Sequence, residues 1–290
     1  MRIGILARND GYYFCDLARA AKGDTVVPLN FSDLACDIDG TELKVTCGEV
    51  QLASFDAVIV RTMPPGTLEQ VVYRMDLLAA LEDRGIAIVN PPKSLEAAVD
   101  KFLTSARLQL HRIPTPRTIA CQTWESALAA FESLGGKVVV KPLFGGEGRG
   151  IFLVTDSEMA LRVFKMLTQL GAVLYLQEFV EHAGEDIRIL IIGDDAFAVK
   201  RINPSDWRTN SSRGARTVSY QASAHQVQLA RQAAKVVGAP IAGVDIVTSP
   251  VGQDLVIEVN AVPGWKATAS ALKIDIASQV IQWIRQTIRR

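Results

Sequence analysis

The sequence has no excess of either charge, because its 290 residues include 31 Lys or Arg and 31 Asp or Glu. Such a chain has no overall field that would attract nucleic acid or an acidic membrane, although a local basic cleft is compatible with balanced charge. No apolar run approaches the roughly 18 uncharged residues of a membrane-spanning helix, and the N-terminal run IGIL is too short for a signal peptide. These absences predict a cytoplasmic protein that binds neither nucleic acid nor membranes.

Cysteine and histidine are scarce, with four and three residues respectively. No CxxC pair occurs, no histidine stands near a cysteine at zinc-ligand spacing, and no Ser/His/Asp or Cys/His arrangement can be read from the spacing. A zinc knuckle, a redox motif and a covalent hydrolase are therefore not indicated. The cysteines are interpreted as reduced thiols.

Three common nucleotide-binding signatures are missing as well. The first predicted strand runs into ARNDGYY instead of GxGxxG, which argues against a nicotinamide dehydrogenase. A glycine-rich stretch further along lacks the closing Gly-Lys-Ser/Thr of a Walker A loop. Its lysine precedes the glycines, and no HRD or DFG element follows, which disfavours a protein kinase.

The pattern of apolar residues predicts an α/β fold. Over residues 2–90 short apolar strands alternate with helical patterns, which indicates βαβ units and a parallel sheet. The turn-rich NPPKS ends this region, and Ser94 is expected to cap a single helix, LEAAVDKFLTSARLQLHR. Further on, DIRILIIG and AFAVKRI are predicted to form a hairpin around Asp194–Asp195, and IASQVIQWIRQTIRR a terminal amphipathic helix.

A lysine followed by a glycine-rich loop, VVVKPLFGGEGRGI, is the most informative segment. Lys141 ends an apolar strand, and the glycines after it let the backbone approach a ligand closely and direct N–H groups towards it. That arrangement suits polyphosphate. For an isolated loop, a hairpin whose glycines only serve the turn is an equally good interpretation. Lys101 could face the same cleft, although taken alone it is typical of solvated surface.

Two carboxylates interrupt apolar strands near the C-terminus. If a hairpin is centred on Val251–Gly252, Asp245 lies opposite Glu258 at about 4.5–5.5 Å, and Asn260 shares the face of Glu258. Three oxygen donors then converge, and a hard divalent cation would relieve their repulsion, with magnesium or manganese favoured over zinc. The alternative is that each carboxylate simply pairs with an arginine.

Taken in order, these segments resemble the ATP-grasp ligases, and among them the RimK/LysX branch of amino-acid ligases. The matching motifs are DKFLTSARL, VVVKPLFGGEGRGI, LQEFV with GEDIRILIIG, AVKRINPSDWRTN, GVDIV and EVNAVPGW. The resemblance covers most of the chain from Asn90 onward. It implies an ATP-grasp fold with a Rossmann-like pre-grasp domain (1–90), a central subdomain with the glycine-rich flap (91–174), and a C-terminal subdomain with the metal site (175–290). It also implies a homodimer or homotetramer.

The same resemblance implies roles for individual residues: two lysines on the phosphates, a flap over them, a hinge against adenine and an acid on the ribose. The residues implied to bind ATP are Lys101, Lys141, Gly145, Gly146, Glu147, Gly148, Arg149, Gly150, Gln177, Glu178, Phe179, Val180 and Asp186. Those implied to bind Mg²⁺, as two ions that Mn²⁺ can replace, are Asp245, Glu258 and Asn260. Those implied to line the phosphoryl-transfer and acceptor side are Arg188, Arg201 and Asn210.

The reaction implied by the resemblance is activation of a carboxylate by ATP to an acyl phosphate, which an amine attacks to give an amide, ADP and phosphate. The motifs look closest to members that add L-glutamate to a small cofactor such as a tetrahydromethanopterin-type pterin. Three alternatives stay open: a ligase that modifies a protein terminus or carrier protein, a non-catalytic nucleotide-binding module, and a small-molecule kinase. Val262 and Trp265 in AVPGW depart from other branches, and acceptor specificity is expected to depend on this segment.

Overall fold

The parallel sheet predicted for the N-terminal region is present in the computed structural model, which describes residues 1–145, 149–210 and 214–288. The elements of this region are β1 (Arg2–Leu6), α1 (Tyr12–Ala20), β2 (Thr25–Leu29), β3 (Leu34–Asp39), β4 (Glu42–Cys47), β5 (Val50–Gln51), β6 (Ala57–Val60), α2 (Leu68–Glu82) and β7 (Ala87–Val89). Strands β2, β1, β6 and β7 pair side by side in that order, all parallel. The chain runs from β1 to β2 on one side of β1 and then crosses to β6 on its other side. The crevice between the carboxyl ends of β1 and β6 is therefore a topological switch point.

A small antiparallel sheet of β3, β4 and β5 lies between β2 and β6, and it was not predicted. A turn at Gly40, whose φ of 56° suits glycine, joins β3 to β4. Val45 and Cys47 point from β4 into the same core as Leu52 and Phe55. The signals were the Asp-Gly dipeptide and the alternation in ELKVTC, which together are typical of a hairpin.

The prediction of one helix capped by Ser94 is wrong. The structure has two helices, α3 (Pro92–Val99) and α4 (Lys101–Leu110), separated at Asp100. The Asp100 side chain accepts a hydrogen bond from the Leu103 N–H at 2.9 Å, so it caps α4 and ends the run. Ser94 lies inside α3, and its hydroxyl donates to a backbone carbonyl of the preceding turn. Proline at the first helical position determines where α3 begins.

The central part of the chain folds into an antiparallel sheet covered by two helices. Its elements are β8 (Thr118–Cys121), α5 (Trp124–Ser133), β9 (Val138–Lys141), β10 (Phe152–Val154), α6 (Ser157–Gln169) and β11 (Leu174–Glu178). The strand order is β10, β9, β11, β8, and Phe131 of α5 meets Phe164 of α6 in the core. Strand β11 crosses the predicted boundary at residue 174, and the three-part division stays a prediction.

The C-terminal part is a second antiparallel sheet with helices on its faces. Its elements are β12 (Glu185–Ile192), β13 (Asp195–Ile202), β14 (Arg216–Ser219), α7 (Ala224–Val237), β15 (Ile241–Thr248), β16 (Asp254–Asn260), α8 (Lys266–Leu272) and α9 (Ile276–Ile288). The strand order is β14, β13, β12, β15, β16. The predicted hairpin of β12 and β13 is confirmed. None of the described helices is both long enough and apolar enough to cross a membrane.

Helix α9 returns to the N-terminal sheet. Its apolar stripe shares one core cluster with Ile3, Ile5 and Leu17 of β1 and α1, and Arg285 forms an ion pair with Asp24 at 2.7 Å. The amphipathic pattern of this helix is therefore used within the chain.

Asn90 joins the N-terminal sheet to the hairpin of β15 and β16. Its Nδ2 donates to the Ile241 carbonyl at 2.6 Å and to the Ala261 carbonyl, and its Oδ1 accepts from the Ile241 N–H at 3.0 Å. Ile241 begins β15 and Ala261 follows β16, so one side chain holds both ends of the hairpin. Asn90 is buried, and nearly all its hydrogen-bonding capacity is used there.

Replacing Asn90 with alanine should destabilise the protein strongly, because it leaves buried backbone groups of Ile241 and Ala261 without partners. We expect the free energy of unfolding to fall by about 3 to 5 kcal/mol, measured by urea unfolding. The control is Asn30→Ala, since this exposed side chain makes one local hydrogen bond and should cost about 1 kcal/mol or less. Equal losses in the two variants would contradict the role of Asn90.

Candidate active site

The hairpin of β15 and β16 places Asp245 directly opposite Glu258, which confirms the predicted register. Asn260 pairs with Gly243, two positions along. A β-bulge makes this possible: near the turn Ile246 pairs with Val256, and Asp245 then pairs with Glu258, so one extra residue of β16 lies between them. Without that bulge, Glu258 would not face Asp245.

The carboxylate of Asp245 is held by two arginines. Arg188 lies beside it on β12, with Nε 2.5 Å from Oδ1 and Nη2 2.6 Å from Oδ2. Arg201 of β13 places Nη2 2.9 Å from Oδ2. The alternative prediction, that the carboxylate pairs with arginine, is therefore confirmed for Asp245. Its role as a metal ligand stays a prediction.

Arg201 also pairs with Asp186, its cross-strand neighbour, so it bridges two buried acids. Burial alone would raise the pKa of Asp245, but Arg188 and Arg201 together lower this pKa to about 2. Burial raises the pKa of Asp186, and repulsion from Asp245 adds to this rise, while the Arg201 guanidinium opposes it without reversing it. Asp186 lies away from solvent, and its predicted contact with a ribose stays a prediction.

Glu258 faces a different set of charges. No described residue forms an ion pair with it, yet its carboxylate acts electrostatically on Lys101 and Lys141 and raises the pKa of each. Burial is the stronger effect on both lysines: it lowers the pKa of Lys101 and brings that of Lys141 down to about 8. The structure thus brings the two predicted lysines close to Glu258 on β16.

Each lysine is bonded to an uncharged oxygen. Lys101, the first residue of α4, donates from Nζ to the Gly145 carbonyl at 2.6 Å. Lys141 donates to Oε1 of Gln177 at 2.7 Å, and Gln177 in turn donates to the Thr118 hydroxyl at 3.1 Å. Neither ammonium group is neutralised by a direct ion pair with a described carboxylate, so both charges are available to an anionic ligand.

Tyr175 belongs to the site and was missed. It pairs with Lys141 in the sheet, and its buried hydroxyl lies 2.7 Å from that of Ser105 on α4. Tyr175 thereby ties the helix of Lys101 to the strand of Lys141. The alternation in LYLQE puts Tyr175 and Gln177 on one face, which was the available signal.

The predicted adenine hinge begins at the end of β11 and continues beyond it. The backbone N–H groups of Glu178 and Phe179 donate to carbonyls of the central region, whereas none of the described residues accepts a hydrogen bond from the Val180 N–H. The Phe179 ring contacts His182 and Trp207, with centroids 5.7 and 5.8 Å away. These three rings line a cavity of about 290 Å³ beside the hinge.

Several predicted residues lie at or beyond the limits of the described structure. Gly146, Glu147 and Gly148 are outside the described residues, while Gly145, Arg149 and Gly150 are described and exposed. Asn210 is half-buried and borders the second undescribed segment. Their roles stay predictions.

The predicted metal ligands fit a hard cation unequally. Within residues 1–145, 149–210 and 214–288, no three His, Cys, Asp or Glu side chains form a metal-binding group, and the predicted set instead combines two carboxylates with an amide. A carboxylate has about four lone-pair sites, and the arginines occupy three of those on Asp245. The Asn260 oxygen accepts from the Val262 N–H at 2.8 Å. Glu258 has the most free capacity, so an oxygen-seeking ion such as Mg²⁺ fits with Glu258 as its main ligand.

Comparisons with known proteins agree with this geometry. The family profile of the RimK-like ATP-grasp domain matches residues 98–284, and that of the RimK PreATP-grasp domain matches residues 1–95. The tetrahydromethanopterin:alpha-L-glutamate ligase of Methanosarcina acetivorans is 30% identical over 270 residues, which cover 83% of each chain. A probable alpha-L-glutamate ligase of Legionella pneumophila (strain Corby) is 30% identical over 294 residues, covering 99% of this chain and 96% of the relative.

A solved structure shows the same fold. The ATP-grasp ligase PsnB, complexed with minimal precursor, Mg and ADP, superposes with a TM-score of 0.77 at 19% identity, covering 99% of this chain and 98% of that chain. The predicted ATP-grasp fold with a pre-grasp domain is confirmed.

Removing Arg201 should destabilise the protein, because Arg201→Met leaves two buried carboxylates, Asp186 and Asp245, with Arg188 as their one remaining described ion-pair partner. We expect a loss of about 3 to 5 kcal/mol in the free energy of unfolding, measured by urea unfolding at neutral pH. Adding Asp186→Asn to this variant should restore part of the loss, since it removes one of the carboxylates. Arg162→Met, which breaks an exposed ion pair on α6, should cost about 1 kcal/mol or less. Strictly additive effects at 201 and 186 would contradict the network.

Proposed function

Because this chain belongs to the RimK-like ATP-grasp family of ATP-dependent ligases, we propose that it joins L-glutamate to a carboxylate of a small cofactor. A tetrahydromethanopterin-type pterin is the candidate acceptor, since a relative of 30% identity carries that substrate in its name. The products are an amide, ADP and phosphate, formed through an acyl phosphate.

The observation that carries the proposal is the meeting of four cationic side chains around Glu258 and Asp245. Lys101 and Lys141 come from the central region, and Arg188 and Arg201 from the C-terminal sheet. Phosphoryl transfer spreads negative charge over the transferring oxygens and depends mainly on positioning and neutralisation. A site whose cations are partly or wholly buried suits that chemistry.

The nucleotide is assigned to the side of the lysines. In the proposal, Lys101 leaves the Gly145 carbonyl and Lys141 the Gln177 amide to bind phosphate oxygens, and the loop 145–150 covers them. The N–H of Val180, which donates to none of the described residues, provides a donor for the adenine ring. A non-catalytic module would be expected to have lost one of these groups, and the site retains them.

Magnesium is assigned to Glu258, Asp245 and Asn260, as ATP-grasp ligases use ATP with Mg²⁺. Bound there, it would neutralise the phosphate oxygens beyond what the lysines achieve. The protein's own contribution is to aim these ligands: the bulge in β16 turns Glu258 towards the lysines, and the arginines keep Asp245 ionised.

Arg188 and Arg201 differ in what they can touch. The Arg188 side chain is 15% exposed and the Arg201 side chain 6%. We therefore assign Arg188 to the substrate carboxylate and its acyl phosphate, and Arg201 to holding Asp245 and Asp186 in place.

The ligase proposal predicts that ADP is released only when both a carboxylate substrate and glutamate are present. Release of AMP and pyrophosphate would contradict it, and ADP release without an amine would favour the small-molecule kinase. Glu258→Gln should lower magnesium-dependent kcat/KM by about 100-fold or more, because the main metal ligand loses its charge. Glu158→Gln, at an exposed glutamate of α6 paired with Arg162, is the control and should retain activity.

The nucleotide proposal predicts proton uptake when ADP binds near pH 8. Burial lowers the pKa of Lys141 to about 8, so at pH 8 this lysine is neutral in about half of the molecules. Phosphate favours the charged form, and its binding therefore takes up protons. The number of protons taken up follows from calorimetry in two buffers of different ionisation enthalpy. Uptake should fall in Lys141→Met and not in Lys235→Met, an exposed lysine of α7. The part that persists is assigned to Lys101, whose pKa is also lowered. Equal uptake in all three proteins would overturn the assignment of Lys141.

A further inference from the structure

Arg61 is a buried cation at the end of β6 that the proposed mechanism does not use. Its guanidinium carbon lies 4.6 Å from the centroid of Tyr13 and 4.3 Å from that of Trp265. These two rings contact each other edge to face, so the guanidinium packs into the corner that they form. One Nη2 donates to the Pro263 carbonyl at 2.7 Å. The residue is 8% exposed, so this cation is almost wholly removed from bulk water.

No described carboxylate neutralises Arg61. Its Nε is buried and has no hydrogen-bond partner. Burial lowers the pKa of Arg61 to about 10, opposed only by Tyr13. A desolvated charge normally lies next to an opposite charge, because burying it alone is costly. Two aromatic faces and one carbonyl offset part of that cost, and the guanidinium retains the capacity to bind an anion.

The position of Arg61 is that of a ligand-binding residue. Its N–H and that of Thr62 both donate to the Leu6 carbonyl, so the ends of β1 and β6 meet beside it. This is the switch-point crevice of the parallel sheet, where open α/β sheets bind ligands. Thr62 and Asn9 are exposed on the two strand ends, so the crevice opens to solvent.

The crevice also adjoins the reaction site through the segment AVPGW. A Cβ atom added to Gly243 would lie 3.0 Å from Cβ of Pro263 and 3.6 Å from Nε of Arg188. Pro263, whose carbonyl accepts from Arg61, is therefore packed between the two arginines.

We propose that Arg61 binds a carboxylate of the amino-acid substrate in the crevice between β1 and β6, which directs the substrate's amine towards Arg188. The inference rests on the proposed function. A single guanidinium packed into an aromatic corner suits a compact monoanionic group, and its planar donors match a carboxylate. Polyphosphate has its own cations at the lysines. Arg61, Tyr13 and Trp265 thus make the N-terminal sheet part of the amino-acid site.

Steady-state kinetics of Arg61→Gln and Arg61→Lys test the assignment. We expect the KM for glutamate to rise roughly 10- to 100-fold in Arg61→Gln, the range of a charged hydrogen bond, and the KM for ATP and for the carboxylate substrate to stay within about twofold. Arg61→Lys keeps the charge but loses the planar fork, so it should show a smaller rise.

A matched control is Arg74 of α2, the helix that connects β6 to β7. Arg74 is also 8% exposed, donates to a proline carbonyl at 2.7 Å and lies over an aromatic ring. Arg74→Gln removes a comparable buried arginine away from the crevice. An equal rise in the KM for glutamate with Arg74→Gln would show a general structural effect and overturn the proposal.

Substrate analogues identify the carboxylate. 4-Aminobutyrate lacks the α-carboxylate, and glutamine lacks the charge of the γ-carboxylate. For one of these two analogues, the KM with the wild-type protein should be raised as much as the KM for glutamate is raised by Arg61→Gln. The KM for that analogue should not rise further in Arg61→Gln. If Arg61→Gln raises the KM for both analogues further, the contact between Arg61 and the carboxylate is contradicted.

Failures of the two proposals are distinguishable. If wild type releases no ADP in response to glutamate, the proposed function fails. If wild type does so and the KM for glutamate is unchanged in Arg61→Gln, only this inference fails. A rise confined to the KM of the carboxylate substrate would also overturn it. Should Arg61→Gln not fold, the comparison of Arg61→Lys with Arg74→Lys decides by the same criterion.

Discussion

The ion pairs of Asp245 with Arg188 and Arg201 are the interaction on which the site depends. They join three strands of the C-terminal sheet, β12, β13 and β15, at one buried point. Because Asp245 takes both arginines, the acid opposite it has no partner of its own among the described residues. Glu258 is left to face the lysines of the central region, and the charge distribution of the cleft follows from this division.

The fold was predicted best where a periodic pattern coincided with a clear turn signal. The parallel N-terminal sheet and the hairpin of β12 and β13 are examples. The helix break at Asp100 was missed because the apolar pattern continues through it, and only the side chain's bond to a backbone N–H decides in favour of a cap. The β3 to β5 sheet was missed although its turn and alternation were available signals, since β3 is exposed along most of its length and β5 has only two residues.

The site was predicted in part from the residues and in part from family resemblance. The pairing of Asp245 with Glu258 followed from counting back from a turn, although the count succeeds only because β16 contains a bulge. The arginines on Asp245 could not be placed, because they come from strands 44 and 57 positions away along the chain and pairing between distant strands leaves no local pattern. Tyr175 and Arg61 were missed for a related reason: each looks like an ordinary strand residue until its neighbours are known.

Helix α9 has a consequence for how the protein is made. It covers Ile3, Ile5 and Leu17, residues that leave the ribosome more than 250 positions earlier. The first sheet therefore emerges with one apolar face open, and that face stays uncovered until α9 has been translated. Contacts of such long sequence separation form slowly, and exposed apolar surface on a nascent chain is what chaperones bind. During synthesis, the N-terminal domain depends on α9 to complete its core.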